Sequence, residues 1–205
     1  MKEEASVHQP RLLPLSLSIS IKIYFIISRK TVNISIAAAI IGSVVPPVTS
    51  LMREAIRKVT GQEALVVNVD MNIGLEVLMD NPSSVGTDLI VGAVAGINRY
   101  PVPLILIDMG TATTRTAQLP RISLDPPKRL IGKNTVECMQ SGALYGNASC
   151  IDGMVDRIQE ELGQEATIVA TGGLAKRIIP LCRHHIELDD ELLLRGLWII
   201  YEKNK

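Results

Sequence analysis

The chain has 205 residues, 47% apolar and 20% charged, proportions ordinary for a packed globular protein of one large or two small domains. Lysine plus arginine number 21 and aspartate plus glutamate 21, so no overall field favours nucleic acid or an anionic membrane surface, and neither is expected as a partner. Three cysteines, Cys138, Cys150 and Cys182, are odd in number, far apart and without a CxxC pair, which argues against a disulfide framework or structural zinc and for a reducing, cytoplasmic setting.

Residues 1–35 form a divergent N-terminal segment. Within it Leu12–Ile27 is the one stretch apolar enough to be weighed as a membrane span. Lys22 interrupts it, serines alternate with aliphatic residues, and Glu3 and Glu4 stand where a signal peptide carries basic residues, so it reads as strand-like material. From Ile34 to Val45 a β-branched aliphatic run predicts a buried strand, which Pro46-Pro47 ends while opening a helix to about Thr60. Leu51, Ala55, Ile56 and Val59 are expected on its buried face, with Gly61 as C-cap. Ala64–Val69 is the next strand. Asn81-Pro82 predicts a cap and first turn for a helix in which Ile90, Ala93, Val94 and Ile97 keep helical spacing.

The central feature is Leu104–Asp108, a short apolar run bounded by Pro103 and Gly110 that reads as a fully buried strand, followed by Gly110-Thr111-Ala112-Thr113-Thr114. A carboxylate at a strand's end can hold a cation or order water. Gly110 lets a phosphate approach the backbone, and the threonines add donors. The alternative on spacing alone is a strand ending in a threonine-rich turn. Beyond a proline-rich connector, Asn134–Leu162 reads as one long helix in which Gly142, Gly146 and Gly153 suggest close packing. Thr167–Thr171 is a buried strand ending at Gly172-Gly173, a short helix follows, Ile186–Leu188 reads as a strand, and Asp189 or Asp190 caps a last helix carrying Leu193, Leu197 and Ile200. Alternating strands and helices imply a largely parallel α/β sheet, in two halves, 36–102 and 103–205.

Val85-Gly86-Thr87-Asp88 lies at a helix opening, where backbone amides and the dipole favour an anion. A positioned aspartate there suits phosphoryl transfer, accepting a substrate hydroxyl's proton late in the reaction, or it simply caps its helix. Gly172-Gly173 offers bare backbone against which a nucleotide can lie. His184 and His185 lack metal-ligand spacing and read as surface or structural residues, and Lys133 as solvated.

These residues, in this order, resemble the type III pantothenate kinases of the acetate and sugar kinase, Hsp70 and actin superfamily. The resemblance runs from about Ile34 to Asn204 through Ser43–Pro47, Asp80-Asn81-Pro82, Val85–Asp88, Asp108–Thr114, Arg115–Pro120, Ile131–Thr135, Gln140-Ser141-Gly142 and Ala170–Leu174. It implies an α/β fold of two ribonuclease-H-like, actin-like ATPase halves, a homodimer, and ATP-dependent phosphorylation of pantothenate on the route to coenzyme A. It also implies a monovalent cation, potassium or ammonium, with magnesium as a further candidate. Position by position, Asp88 matches the family's general base, Gly86, Thr87, Asp88 and Leu89 its pantothenate-contacting segment, Thr116 a further pantothenate contact, Asp108 its cation ligand and Thr111 an ATP contact. Gly110, Gly172 and Gly173 complete the nucleotide side. Met79 stands where the family usually has tyrosine, and Leu89 where it often has arginine, which removes a hydroxyl partner and a cationic anchor for substrate. The family's opening strand and Asp-x-Gly-Asn-Thr loop have no counterpart in residues 1–35, and several tens of residues are missing between Thr114 and Arg115, so both halves are expected to be truncated. Those departures leave a second reading open, a catalytically inactive relative acting in dimerisation or regulation.

Overall fold

A computed structural model describes residues 11–17, 21–30, 33–43, 45–78, 82, 85–109 and 123–205. They form two compact units, Met1–Ala95 with Leu193–Lys205, and Gly96–Leu192.

The first unit holds a sheet of β1 (Arg11–Leu17), β2 (Ile21–Lys30), β3 (Asn33–Ser43) and β4 (Ala64–Val66) in that order. The apolar stretch weighed as a membrane span is thus a pair of strands, and among the described residues no helix is long and apolar enough to cross a membrane. β1–β2 and β2–β3 pair antiparallel and β3–β4 parallel, with a bulge at Ile26/Ile27. A largely parallel sheet was the expectation here. The links between β1, β2 and β3 span only a few residues and permit hairpins alone, whereas the parallel β3–β4 pair has a helix to cross over with.

That helix is α1 (Pro46–Thr60), opened by prolines at its first positions and closed by Gly61 at φ 70°. Of the expected buried face only Ile56 is buried. Ile56 is 3% exposed, with Val48 and Met52 beside it, whereas Leu51 and Val59 are 64% and 82% exposed and Ala55 also faces outward. Ala39 and Ile41 of β3 meet this α1 layer, while Ile40, pointing the other way, joins Val67, Ile90, Val91, Val94, Leu193, Leu197 and Ile200. The period-2 alternation of a strand therefore builds two apolar layers from three consecutive residues. The second layer comes from α2 (Thr87–Arg99) and α5 (Leu192–Asn204). They pass so closely that a Cβ at Gly196 would overlap the Val91 carbonyl, which accounts for a glycine inside a helix. Asn204 ties the Asn72 loop to α5, accepting the Asn72 amide at 3.0 Å and donating to its carbonyl at 3.1 Å.

In the second unit β5 (Leu104–Asp108), β6 (Thr167–Thr171) and β7 (Glu187–Leu188) form a parallel sheet in that order. β5 is half-buried rather than fully buried, because it is an edge strand of the described sheet. Ile105, Ile107, Ile168 and Ala170 pack with Val155 and Ile151 of α3 (Thr135–Leu162) and with α4 (Ala175–Ile178). α3 starts on a capping pair in which Asn134 Oδ1 accepts the Glu137 amide at 2.9 Å while Glu137 Oε2 accepts that of Lys133. Among the described residues a Cβ at Gly142 or Gly146 meets nothing, and one at Gly153 only the Arg157 guanidinium. Buried Asp152 accepts the backbone amides of Arg183 and His184, and Asp156 takes His184 Nε2 at 2.7 Å, a structural role for that histidine.

Asp189, 5% exposed, accepts the Tyr100 hydroxyl at 2.8 Å and the Glu191 amide at the mouth of α5. Burial first, and then the bond to and charge of Asp189, push the Tyr100 phenol above its ordinary 10.0. The folded chain therefore holds that proton more tightly than the unfolded chain. The resulting stability is complete below pH 10.0 and is lost as pH rises through the folded value. Urea unfolding between about pH 9 and about pH 11 is expected to show a steeper loss for the wild type than for Tyr100→Phe. Truncation separates the two apolar rows of α1: Ile56→Ala is expected to cost about 2–4 kcal/mol in urea unfolding and Leu51→Ala no more than about 0.5 kcal/mol.

Candidate functional site

On the first unit, Val85-Gly86 leads into α2 at Thr87, several residues after the predicted start. The Gly86 carbonyl accepts the amides of Leu89 at 3.1 Å and Ile90 at 3.3 Å and so closes the first turn. Asn81 and Met79 lie outside the described residues. Asp88 is half-exposed in that turn, and its Oδ1 accepts the Leu89 amide at 2.9 Å. Gly86 and Thr87 are half-buried, and Leu89 is 61% exposed. The turn thus presents a carboxylate at the positive end of a 13-residue helix, beside an aliphatic side chain and with no other charge from Val85 to Asn98.

On the second unit, the parallel register sets Asp108 opposite Thr171 at the carboxyl ends of β5 and β6. The Met109 amide donates to the Thr171 carbonyl at 2.9 Å, and the chain turns back through Gly172 at φ 98°. A Cβ on Gly172 would lie 2.5 Å from the Met109 carbonyl oxygen and 2.9 Å from Asp108 Oδ1. Only a glycine permits this approach. Asp108 and Gly172 are therefore brought together, Asp108 being exposed, while a Cβ on Gly173 meets none of the described residues. The Met109 carbonyl, which sequence reasoning missed, is the third member of the group. Its signal was positional only, the residue between a strand-end aspartate and a glycine turn.

Gly110, Thr111 and Thr116, the other expected nucleotide and substrate contacts, lie outside the described residues. An exposed carboxylate with a neighbouring carbonyl oxygen is a hard-oxygen set that suits a loosely held cation. Among the described residues no three His, Cys, Asp or Glu side chains gather as a cage for a tightly held metal. Cys138 and Cys150 are exposed free thiols, and burial with the nearby Asp152 charge pushes Cys182 up to about 11, so that it stays protonated at neutral pH.

A parallel sheet whose strand ends carry a carboxylate against bare glycine backbone is the arrangement of α/β proteins that bind ligands at the carboxyl edge of the sheet. The family model described as type III pantothenate kinase matches residues 18–115 and 114–157. It begins inside the segment read as divergent, upstream of Ile34, and it breaks at Thr114–Arg115, the junction at which the resemblance lacks a segment. Curated type III pantothenate kinases are similar over most of their length. That of Thermus thermophilus is 42% identical over 195 residues, covering 80% of this chain and 76% of the relative. That of an Exiguobacterium species is 39% identical over 198 residues (83% and 78%), and that of Bacillus cytotoxicus 39% over 197 residues (82% and 75%). The chain belongs to the type III pantothenate kinase family.

The two glycines of the β6 turn separate by substitution. Gly172→Ala is expected to cost about 1–3 kcal/mol in urea unfolding, through strain at positive φ and overlap with the Met109 carbonyl, and Gly173→Ala no more than about 0.5 kcal/mol.

Proposed function

We propose that the chain transfers the γ-phosphoryl group of ATP to the primary hydroxyl of pantothenate, giving 4'-phosphopantothenate for coenzyme A synthesis. Family membership supports the reaction, and the single observation that carries the assignment of residues is the carboxylate of Asp88 in the opening turn of α2. Asp88 accepts the hydroxyl proton as the oxygen attacks phosphorus; the new O–P bond forms as the bond from γ-phosphorus to the bridging oxygen breaks, and its electron pair leaves on ADP. Gly86, Thr87 and Leu89 line the acceptor beside Asp88, with Met79 and Thr116 as further contacts.

In the second unit Asp108 and the Met109 carbonyl hold a monovalent cation, potassium or ammonium, whose positive charge, when bound, offsets that of phosphate oxygens. Magnesium accompanies ATP. Gly172 and Gly173, with Gly110 and Thr111, form the nucleotide side, where the absence of side chains lets sugar or phosphate approach the backbone. Residues 36–102 and 103–205 are read as the ribonuclease-H-like halves of an actin-like ATPase, in a homodimer of the cytoplasm.

A second reading, a non-catalytic relative with a binding or regulatory role, is favoured by the break in the family match at residues 114–115. A coupled ADP-release assay separates the two. Turnover is expected to require ATP, pantothenate and potassium together, and to fall by roughly 10²-fold or more in Asp88→Asn with unchanged thermal unfolding. Turnover indifferent to that substitution removes Asp88 from the role of base. No turnover in the wild type supports the second reading.

A further inference from the structure

We propose that Asn204 is a positioning residue for Asp88: the last turn of α5 clasps the loop that runs from β4 towards α2, and thereby fixes the opening turn of α2. The inference rests on the kinase reading above and goes beyond it by bringing α5 into the placement of the base.

Residues 67–78 hold no helix or strand, so their backbone donors and acceptors need other partners. Inside the loop the Asp70 amide donates to Asn68 Oδ1 at 2.9 Å and the Ile73 amide to the Met71 carbonyl at 2.8 Å. Among the described residues, the loop's hydrogen bonds to other elements are that of the Val67 amide to the Ile41 carbonyl and three to the last two residues of α5. Asn204 behaves as a peptide group does between antiparallel strands, its Oδ1 accepting the Asn72 amide at 3.0 Å and its Nδ2 donating to the Asn72 carbonyl at 3.1 Å. The same Nδ2 donates to the Ile200 carbonyl of its own helix at 2.8 Å, which fixes the direction of the side chain. Lys203 Nζ donates to the Ile73 carbonyl at 3.4 Å and lies over Gly74, where a Cβ would overlap the ammonium.

The clasp grips backbone, and Ile73, 4% exposed, carries its effect inward. Ile73 belongs to the cluster of Ile90, Val94, Leu197 and Ile200, on which Met71, Leu75 and Val77 of the same loop also pack, and so does Val85. Val85 stands three residues before Asp88 and Ile90 two after it, so the loop and the first turn of α2 share one apolar support. Asp88 is half-exposed, with Oδ1 accepting the Leu89 amide of its own turn, and the carboxylate goes where that turn goes. A base must lie within hydrogen-bond reach of the hydroxyl it deprotonates, and a displacement of about 1 Å costs up to roughly 10²-fold in rate. Cutting the clasp lets residues 71–78 shift on the cluster, and the turn shifts with them. The proton still passes from the acceptor hydroxyl to Asp88, and Asn204 takes no part in that transfer.

The test is a double-mutant cycle in steady-state ADP release by the full chain, with Asn204→Ala made in the wild type and in Asp88→Asn, each checked by circular dichroism, together with hydrogen exchange at the Asn72 amide. Asn204→Ala is expected to speed that exchange by about tenfold or more. It is expected to lower kcat by about tenfold in the wild type and by less than about twofold in Asp88→Asn, since a base that is absent cannot be misplaced. Damage to the fold at large would lower both backgrounds alike. Asn204→Asp keeps an acceptor for the Asn72 amide and loses both donations; it is expected to lower kcat by about threefold in the wild type alone, and keeps the test open should Asn204→Ala not fold. Asn72→Ala alters an exposed side chain that the clasp does not use, and is expected to leave kcat within about twofold. Equal losses in the two backgrounds, no loss in either, unchanged exchange at Asn72, or a loss in Asn72→Ala as large as in Asn204→Ala overturns the proposal and leaves the kinase reading standing. A wild type without turnover overturns both.

Discussion

The parallel pairing of β5 with β6 is the constraint on which the second unit depends. Matching Leu104 with Thr167 commits Asp108 to Thr171 four residues later, and so fixes where the first strand presents its carboxylate and where the second must turn. A slip of one residue would exchange the faces of the whole strand, turning Ile105 and Ile107 away from α3 and carrying Asp108 with them. The register is held from both sides. Below, Ile105, Ile107, Ile168 and Ala170 pack on α3, and above, the Met109 amide closes on the Thr171 carbonyl at 2.9 Å. Gly172 can then fold back against Asp108 because nothing projects from its α-carbon. The chemistry proposed for Asp108 depends on packing that lies on the opposite side of the strand.

Elements with strong punctuation were legible in the sequence. Pro103 bounded β5 at its observed start, the helical pattern read from Asn134 to Leu162 matched α3, and Leu193, Leu197 and Ile200 gave the buried side of α5. The alternation of serine with aliphatic residues between Leu12 and Ile27 separated strands from a membrane helix. Where two patterns coexisted, the sequence alone held no means of choosing. Helix α1 carries two apolar rows of identical period, Val48, Met52 and Ile56 against Leu51, Ala55 and Val59, and only contact with Ala39, Ile41 and Ala64 selects the first. The glycines of α3 imply close approach only if something approaches, and among the described residues nothing meets Gly142 or Gly146.

The candidate site divides along the same line. Asp88, Asp108 and Gly172 were visible because their residue types are informative where a helix opens or a strand ends. The Met109 carbonyl was not, since every residue has one and its use is set by φ at a position 63 residues further on, Gly172. The start of α2 had two candidates in the sequence, Asn81-Pro82 and Val85–Asp88, and the helix begins at the second. Asn81-Pro82 is a good local cap, but the Gly86 carbonyl collects two amides of the first turn and begins the helix there. Local propensity is a weak prior for where a helix begins.

The division of the first unit between Met1–Ala95 and Leu193–Lys205 has a consequence for how this protein is made. The layer around Ile40, Val91 and Val94 is closed by Leu193, Leu197 and Ile200, which leave the ribosome only after the whole of the second unit. Until then the early strands and α2 have only a partial set of apolar partners, while the intervening 96–192 stretch can already collapse on its own interior. The order of synthesis is therefore the reverse of the order of completion: the unit begun earlier is finished later, and its unburied aliphatic surface is what a nascent-chain chaperone would meet.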